Sequence, residues 1–126
     1  MHILLDTHLY IWWLKDDKQL SKHARSLIVN ADEVYISSAS IWEAGIKIKL
    51  GKLDAKIDEF IDCIGTEGFQ ELSLTTKHTA FVTGLPPYHR DPFDRMLIAQ
   101  AMSEPLILLT ADKALKQYSQ DLIEIV

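Results

Sequence analysis

The sequence predicts an α/β protein: a three-layer α/β/α sandwich around a mainly parallel central sheet, built as a single domain over residues 1–126. Two observations carry that prediction. Short strand-like runs alternate throughout with segments of helical spacing, the order expected of βαβ units. The first and fourth of those runs, at Ile3–Leu5 and Leu106–Leu109, are nearly unbroken aliphatic stretches, which suits strands covered on both faces. A chain of 126 residues is also long enough to bury roughly two-thirds of its unfolded surface in one core.

Taken in order, strands are predicted at Ile3–Leu5, Val34–Ser37, Glu71–Leu74, Leu106–Leu109 and Leu122–Val126. Leu20, Ala24, Leu27 and Ile28 recur at three and four residues around Ser21, as one face of a helix does. Ile57, Phe60, Ile61 and Ile64 repeat the spacing after Asp54. "GIKIKLGK" alternates like a strand, but its neighbours favour the tail of a helix ended by Gly51. "GLPPYH" reads as a rigid, exposed loop. "DPFDRMLIAQAM" then supplies an N-cap acid, a proline at the first helical position and a helical run. There is no repeat, low-complexity tract or linker.

Composition narrows the function. Hydrophobic residues at 48% and charged residues at 25% are ordinary for a globular protein. No stretch approaches the ~20 apolar residues of a membrane span, so no membrane association is expected. The apolar start is interrupted by Asp6 and His8 and lacks a basic leader, which predicts no signal peptide. The single cysteine, Cys63, cannot form an internal disulfide and points to a reducing, cytoplasmic setting; its place on an apolar stripe reads as packing. A net charge of −5 argues against nucleic-acid binding by bulk electrostatics. Such binding would need metal ions or a local basic patch.

Right-handed crossovers put the C-terminal ends of parallel strands on one edge of the sheet, where ligands bind. Acids recur at the corresponding points of this sequence. Asp6 follows "ILL", Glu43 lies about one turn beyond "VYISS", Asp112 follows "LILLTA", and Asp94 sits in the first turn of the helix starting near Pro92. Each is individually explained by capping, because helix N-termini favour negative charge by roughly 0.3–1 kcal/mol. Ser40-Ile-Trp-Glu43 has the form of a capping box, and Asp91 suits a cap before Asp94. Together the acids are harder to explain so simply, since gathered carboxylates repel and resist ionisation. Asp94 moreover continues an apolar stripe with Ile98 and Ala101, and Glu43 is flanked by Trp42, Ala44 and Ile46.

A clustered, partly buried set of carboxylates suits a hard divalent cation, Mg²⁺ or Mn²⁺, which takes oxygen ligands. No cysteine pair or His-x-x-x-His spacing offers a zinc site instead. Such an ion can activate water and stabilise charge on a phosphodiester, which would let an acidic protein act on nucleic acid. Cations that could meet the substrate are Lys47, with Lys49 and Lys52, then Arg95, with Arg90, and Lys113. Among the histidines, His8 stands near the expected edge, and His89 is read as ordering its loop. Tyr10, Trp12 and Trp13 read as core, except that two adjacent tryptophans cannot both face one core.

"LLDTH", "SSASIWEAGIKIKLGKL", "HRDPFDRMLIAQA" and "LLTADKAL" together resemble the PIN domain, and within it the VapC-like toxins of toxin–antitoxin pairs. The resemblance runs nearly end to end, with four segments in the family's order. It implies a metal-dependent endoribonuclease in which Asp6, Glu43, Asp94 and Asp112 correspond to the acidic quartet that binds Mg²⁺ or Mn²⁺. Thr110, in "TAD", matches a hydroxyl residue that supports the site. It further implies a homodimer and a small cognate antitoxin that blocks the site, with RNA as substrate. Two other readings compete. A receiver-type phosphoacceptor domain shares the length and sheet, but carries paired acids after its first strand where this chain offers one. A catalytically silent PIN-fold binding module would not need its acids intact.

Overall fold

The computed structural model describes all of residues 1–126. Its sheet holds β1 (His2–Leu5), β2 (Glu33–Ser37), β3 (Gln70–Leu72), β4 (Ile107–Thr110) and β5 (Ile123–Ile125). They run in the order β3-β2-β1-β4-β5, and every pairing is parallel. All five predicted strands are present, with ends shifted by a residue or two, and the sheet is wholly parallel.

The continuous aliphatic runs belong to the central strand, β1, and to its neighbour β4. Ile3 and Leu5 join Val34, Ile36 and Leu109 in one core, whereas Leu4 joins Leu108, Leu97, Ile98 and Ile123 in the other. Adjacent residues thus point to opposite faces, the period of two that any strand imposes. Because both faces are covered, every position of the run must be apolar. Helices α1 (Thr7–Leu14), α2 (Lys22–Asn30) and α4 (Ile57–Thr66) contribute to the first core. Helix α6 (Pro92–Ser103) fills the second. Helix α3 (Ser38–Lys49) touches both α4 and α6, and α5 (Thr76–Thr83) lies on α6.

Local chemistry sets the helix ends as expected. Ser21 caps α2 through the Ala24 N–H. Asp91 caps α6 through the Phe93 and Asp94 N–H groups, with Pro92 following. "GIKIKLGK" is the end of α3, and Gly51 beyond it takes φ +73°, a conformation that suits glycine. Asp54 does not cap α4, whose N-cap residue is Lys56. The structure adds two helices that periodicity did not single out, α1 and α5, and a short 3₁₀ turn over Lys113–Tyr118.

The connection from β1 leads to β2 on one side, and the chain later returns to β4 on the other side of β1. The strand order therefore reverses between β1 and β4, and the crevice beyond their C-terminal ends is where parallel α/β sheets bind ligands. Leu5 is in register with Leu109, so Asp6 and Thr110 emerge side by side.

Candidate active site at the reversal point

Asp6 is buried where β1 becomes α1. Its Oδ1 accepts from the His8 N–H at 2.9 Å, capping the helix. Its Oδ2 accepts from the Thr110 hydroxyl at 2.6 Å. Burial pushes this carboxyl upward, but the hydrogen bonds from His8 and Thr110 outweigh it and hold the group below the usual carboxylate range. Asp6 therefore carries its charge in the interior, steadied by the hydroxyl of the neighbouring strand.

Asp94 is in the opposite condition. Asp91 takes the capping N–H groups of α6, leaving the Asp94 side chain free of that duty. Burial, followed by the negative charges of Asp6 and Asp91, pushes the Asp94 carboxyl up to about 6, against a smaller pull from His89. Nε2 of His89 donates to Oδ2 of Asp94 at 2.9 Å and lies 3.9 Å from Oδ2 of Asp112. Asp112 caps the 3₁₀ turn through the Ala114 N–H with its other oxygen, Oδ1. Asp6, Asp94 and Asp112 line one cavity of about 280 Å³ with His8, Trp12 and Ala111.

Glu43 approaches from α3. The capping-box reading of Ser40 and Glu43 does not hold: the cap of α3 is Ser37, which accepts from the Ala39 N–H. Ser40 lies inside the helix, and its hydroxyl accepts from Thr7 at 2.8 Å. Glu43 is buried, and its Oε1 has no hydrogen-bond partner. Its Oε2 lies 3.6 Å from Nζ of Lys47, and that amine donates to Nε2 of His8 at 2.9 Å. With Nε2 accepting, His8 carries its proton on Nδ1, 3.5 Å from Asp6. The hydrogen bond to Asp6 is the main reason that His8 titrates above the ordinary histidine range. Glu43 does not line the cavity, but Lys47 and His8 link it to Asp6. The edge-on contact of Trp42 with Phe93, centroids 5.0 Å apart, brings α3 against α6 at the residues just before Glu43 and Asp94.

Among the candidate cations, Lys47 is thus at the site and Lys113 is exposed at the start of the 3₁₀ turn. Arg95 is not brought to the cavity. Its guanidinium donates to the carbonyls of Val82, Leu85, Pro86 and His89 and to the Tyr118 hydroxyl. It fastens the loop before α6 instead of facing substrate. Tyr118 also accepts from the His89 N–H at 2.9 Å, so His89 is held from both backbone groups. His89 is more than a loop residue: it reaches two of the acids. The "HRDPFD" stretch carried the signal, a histidine separated from Asp94 only by a proline-bounded cap.

This is a parallel α/β sandwich whose carboxylates converge at the reversal of strand order, the layout of a hydrolytic or metal-binding site. The family model of the PIN domain matches residues 3–120, and the chain belongs to that family. Ribonuclease VapC22 of Mycobacterium tuberculosis (strain ATCC 25618 / H37Rv) is 26% identical over 119 residues, covering 92% of this chain and 91% of that protein. Two solved structures share the fold. One is VapBC2 from Rickettsia felis bound to a DNA fragment from their promoter, with a TM-score of 0.75, 16% identity, and 99% and 98% of the two chains covered. The other is DNA-bound VapBC from Salmonella typhimurium, with a TM-score of 0.68, 19% identity, and 99% and 98% covered. Membership of the PIN family sets the receiver-type reading aside.

Proposed function

We propose that this protein is an endoribonuclease that hydrolyses RNA phosphodiester bonds with Mg²⁺ or Mn²⁺, and that it is the toxin of a toxin–antitoxin pair acting in the cytoplasm. The observation that carries the proposal is the gathering of Asp6, Asp94 and Asp112 around one cavity at the strand reversal. A fold gains nothing from packing repelling carboxylates together unless a cation joins them. Family membership and the likeness to Ribonuclease VapC22 support the same reading.

The donor set suits such an ion. Oε1 of Glu43 is buried without a partner, and the carboxyl of Asp94 resists ionisation in its absence. Oxygen donors predominate, as Mg²⁺ and Mn²⁺ prefer. Asp6, Glu43, Asp94 and Asp112 would hold the cation, which supplies Lewis acidity towards a phosphodiester and its attacking water. Thr110 fixes the Asp6 carboxylate by its hydroxyl, and Lys47 and Lys113 offer charge to the RNA backbone. Arg95 takes no part in binding.

The proposal extends to a small antitoxin and to a homodimer. Trp42 and Ile46 on α3, with Leu50 at its C-cap, form an exposed stripe, flanked by apolar grooves of about 430 and 290 Å³. Exposed apolar surface of this kind is what protein partners cover. No helix is long and apolar enough to cross a membrane.

The test is cleavage of single-stranded or loop RNA by the purified protein with Mg²⁺, with Mn²⁺ and with excess chelator, beside growth of bacteria expressing the chain alone. Cleavage should need the ion, and expression should arrest growth unless Asp6→Ala or Asp94→Ala is introduced. Full cleavage in chelator, or an arrest equally strong in both variants at equal protein level, would overturn the proposal.

A further inference from the structure

The two adjacent tryptophans of α1 have different fates. Trp13 is fully employed: its indole N–H donates to Glu67 at 2.9 Å and its ring packs on Phe69, centroids 5.8 Å apart. Trp12 packs its ring only partly against the core and lines the acid cavity. Its indole N–H bonds to no protein group. One turn earlier on the same helical face, His8 lines the cavity as well, with ring centroids 6.3 Å apart. The row Asp6, His8, Trp12 thus leads from a carboxylate to an aromatic wall over roughly 9 Å of helix rise. That is comparable with the extent of one nucleotide.

A net charge of −5 makes this need acute. Proteins that hold single-stranded nucleic acid combine a cationic groove with aromatic side chains on which bases stack. Here the cationic part is small, since Arg95 is consumed by carbonyls and Lys47 is shared between Glu43 and His8. Affinity must come from elsewhere, and unpaired bases offer a π-face whatever their identity.

We propose that Trp12 is the stacking platform for an unpaired RNA base next to the scissile phosphate, with His8 closing the side of that subsite. Trp12 is a substrate-binding residue, so it acts on RNA affinity and on the requirement for a single strand. This rests on the nuclease reading above and deepens it.

The experiment uses the full chain and a short single-stranded RNA of mixed sequence, beside the same RNA carrying one abasic nucleotide at successive positions. Tryptophan fluorescence is read by rapid mixing with Mg²⁺ before cleavage proceeds, and cleavage kinetics are read under the same conditions. Intact RNA should quench fluorescence, and an abasic nucleotide at the position next to the cut should remove most of the quench. Trp13→Phe and Trp42→Phe should retain the quench, whereas Trp12→Phe should lose it. Trp12→Leu should raise KM for RNA roughly 10- to 100-fold, the range of one lost stacking contact. Trp12→Phe should restore much of that loss, with kcat changed less than KM in both. Because Trp12 also touches the core, the wild-type comparison of intact and abasic RNA decides even if Trp12→Leu folds poorly. Equal quenching by both RNAs, or a Trp12→Leu protein with unchanged KM, would overturn the stacking role while leaving ion-dependent cleavage standing. A wild type that neither binds nor cuts RNA would fail the nuclease reading itself.

Discussion

Helix α6 has a histidine–carboxylate pair at each end, and the two pairs are built differently. At the C-terminal end His78, 1% exposed, uses both ring nitrogens. Nδ1 accepts from the Thr75 N–H at 3.0 Å, completing the cap of α5, and Nε2 bonds to the Glu104 carboxylate. One imidazole meets one carboxylate, and α5 is stapled to α6. At the N-terminal end His89 donates to Asp94, but Asp112 lies 3.9 Å from the same nitrogen and Asp6 presses on Asp94 by its charge. There the negative groups outnumber the imidazole. A balanced pair stabilises structure, whereas the excess of carboxylates beside the cavity is where the proposed cation would sit.

Substitutions at the two ends should separate these roles. The largest effect is expected at the acid end: Asp6→Asn should lower RNA cleavage by more than ~100-fold, because losing even an outer partner of a metal ligand costs about 10–100-fold. Circular dichroism would establish that the variant folds. At the other end His78→Ala should cost about 2–4 kcal/mol of stability in denaturant unfolding, from a buried cavity and unpaired polar groups. Cleavage per folded molecule should stay near the wild-type level. A His78→Ala protein of normal stability but poor activity would erase the distinction.

A smaller change is expected from Thr110→Val, which keeps the shape but removes the hydroxyl held by Asp6. It should weaken divalent-ion binding by about 10–100-fold, read by calorimetric titration. The smallest effect is in pH. The folded pKa of Asp94 is raised to about 6 from an ordinary 3.8, so the native state binds the proton more tightly than the unfolded one. In chelator, the stability linked to Asp94 should be fully present below about pH 3.8 and lost as pH rises through about 6. Asp94→Asn should flatten that part of the curve. An unchanged slope in the variant would show that Asp94 is not the group concerned.

Much of this was legible in the residues. Uninterrupted aliphatic runs reveal strands covered on both faces, so β1 and β4 and the parallel sheet followed from pattern alone. The acids were visible because three of them stand where a strand or loop hands over to a helix, and Glu43 follows such a point within two turns. Less legible was which acids also serve as caps. Asp6 and Asp112 each cap with Oδ1 and keep Oδ2 for another partner, the Thr110 hydroxyl and the side of His89 respectively, whereas Ser37 and Asp91 relieve Glu43 and Asp94 of capping. That division depends on where each helix begins, a matter of one residue that spacing does not resolve. Where the Arg95 and His89 side chains turn is hidden from the sequence for a related reason. Side-chain direction out of the proline loop is set by the Tyr118 hydroxyl, distant in sequence, and local pattern carries no trace of it. Helix α1 was hidden because its face is apolar almost all round, leaving no stripe to detect.

The central claim is that Asp94 belongs to a cation-binding cluster and is not a helix-end charge. Thermal melting of the wild type and Asp94→Asn, each in chelator and in millimolar-range Mg²⁺, tests it most directly. Ligand binding to the native state stabilises by about 2.7 kcal/mol at a hundred times Kd, so the wild type should melt higher with Mg²⁺. In chelator Asp94→Asn should melt as high as the wild type or higher, because one buried like charge has gone. With Mg²⁺ it should gain little. A variant that melts lower in chelator yet keeps the full Mg²⁺ shift would contradict the claim and return Asp94 to an ordinary first-turn acid.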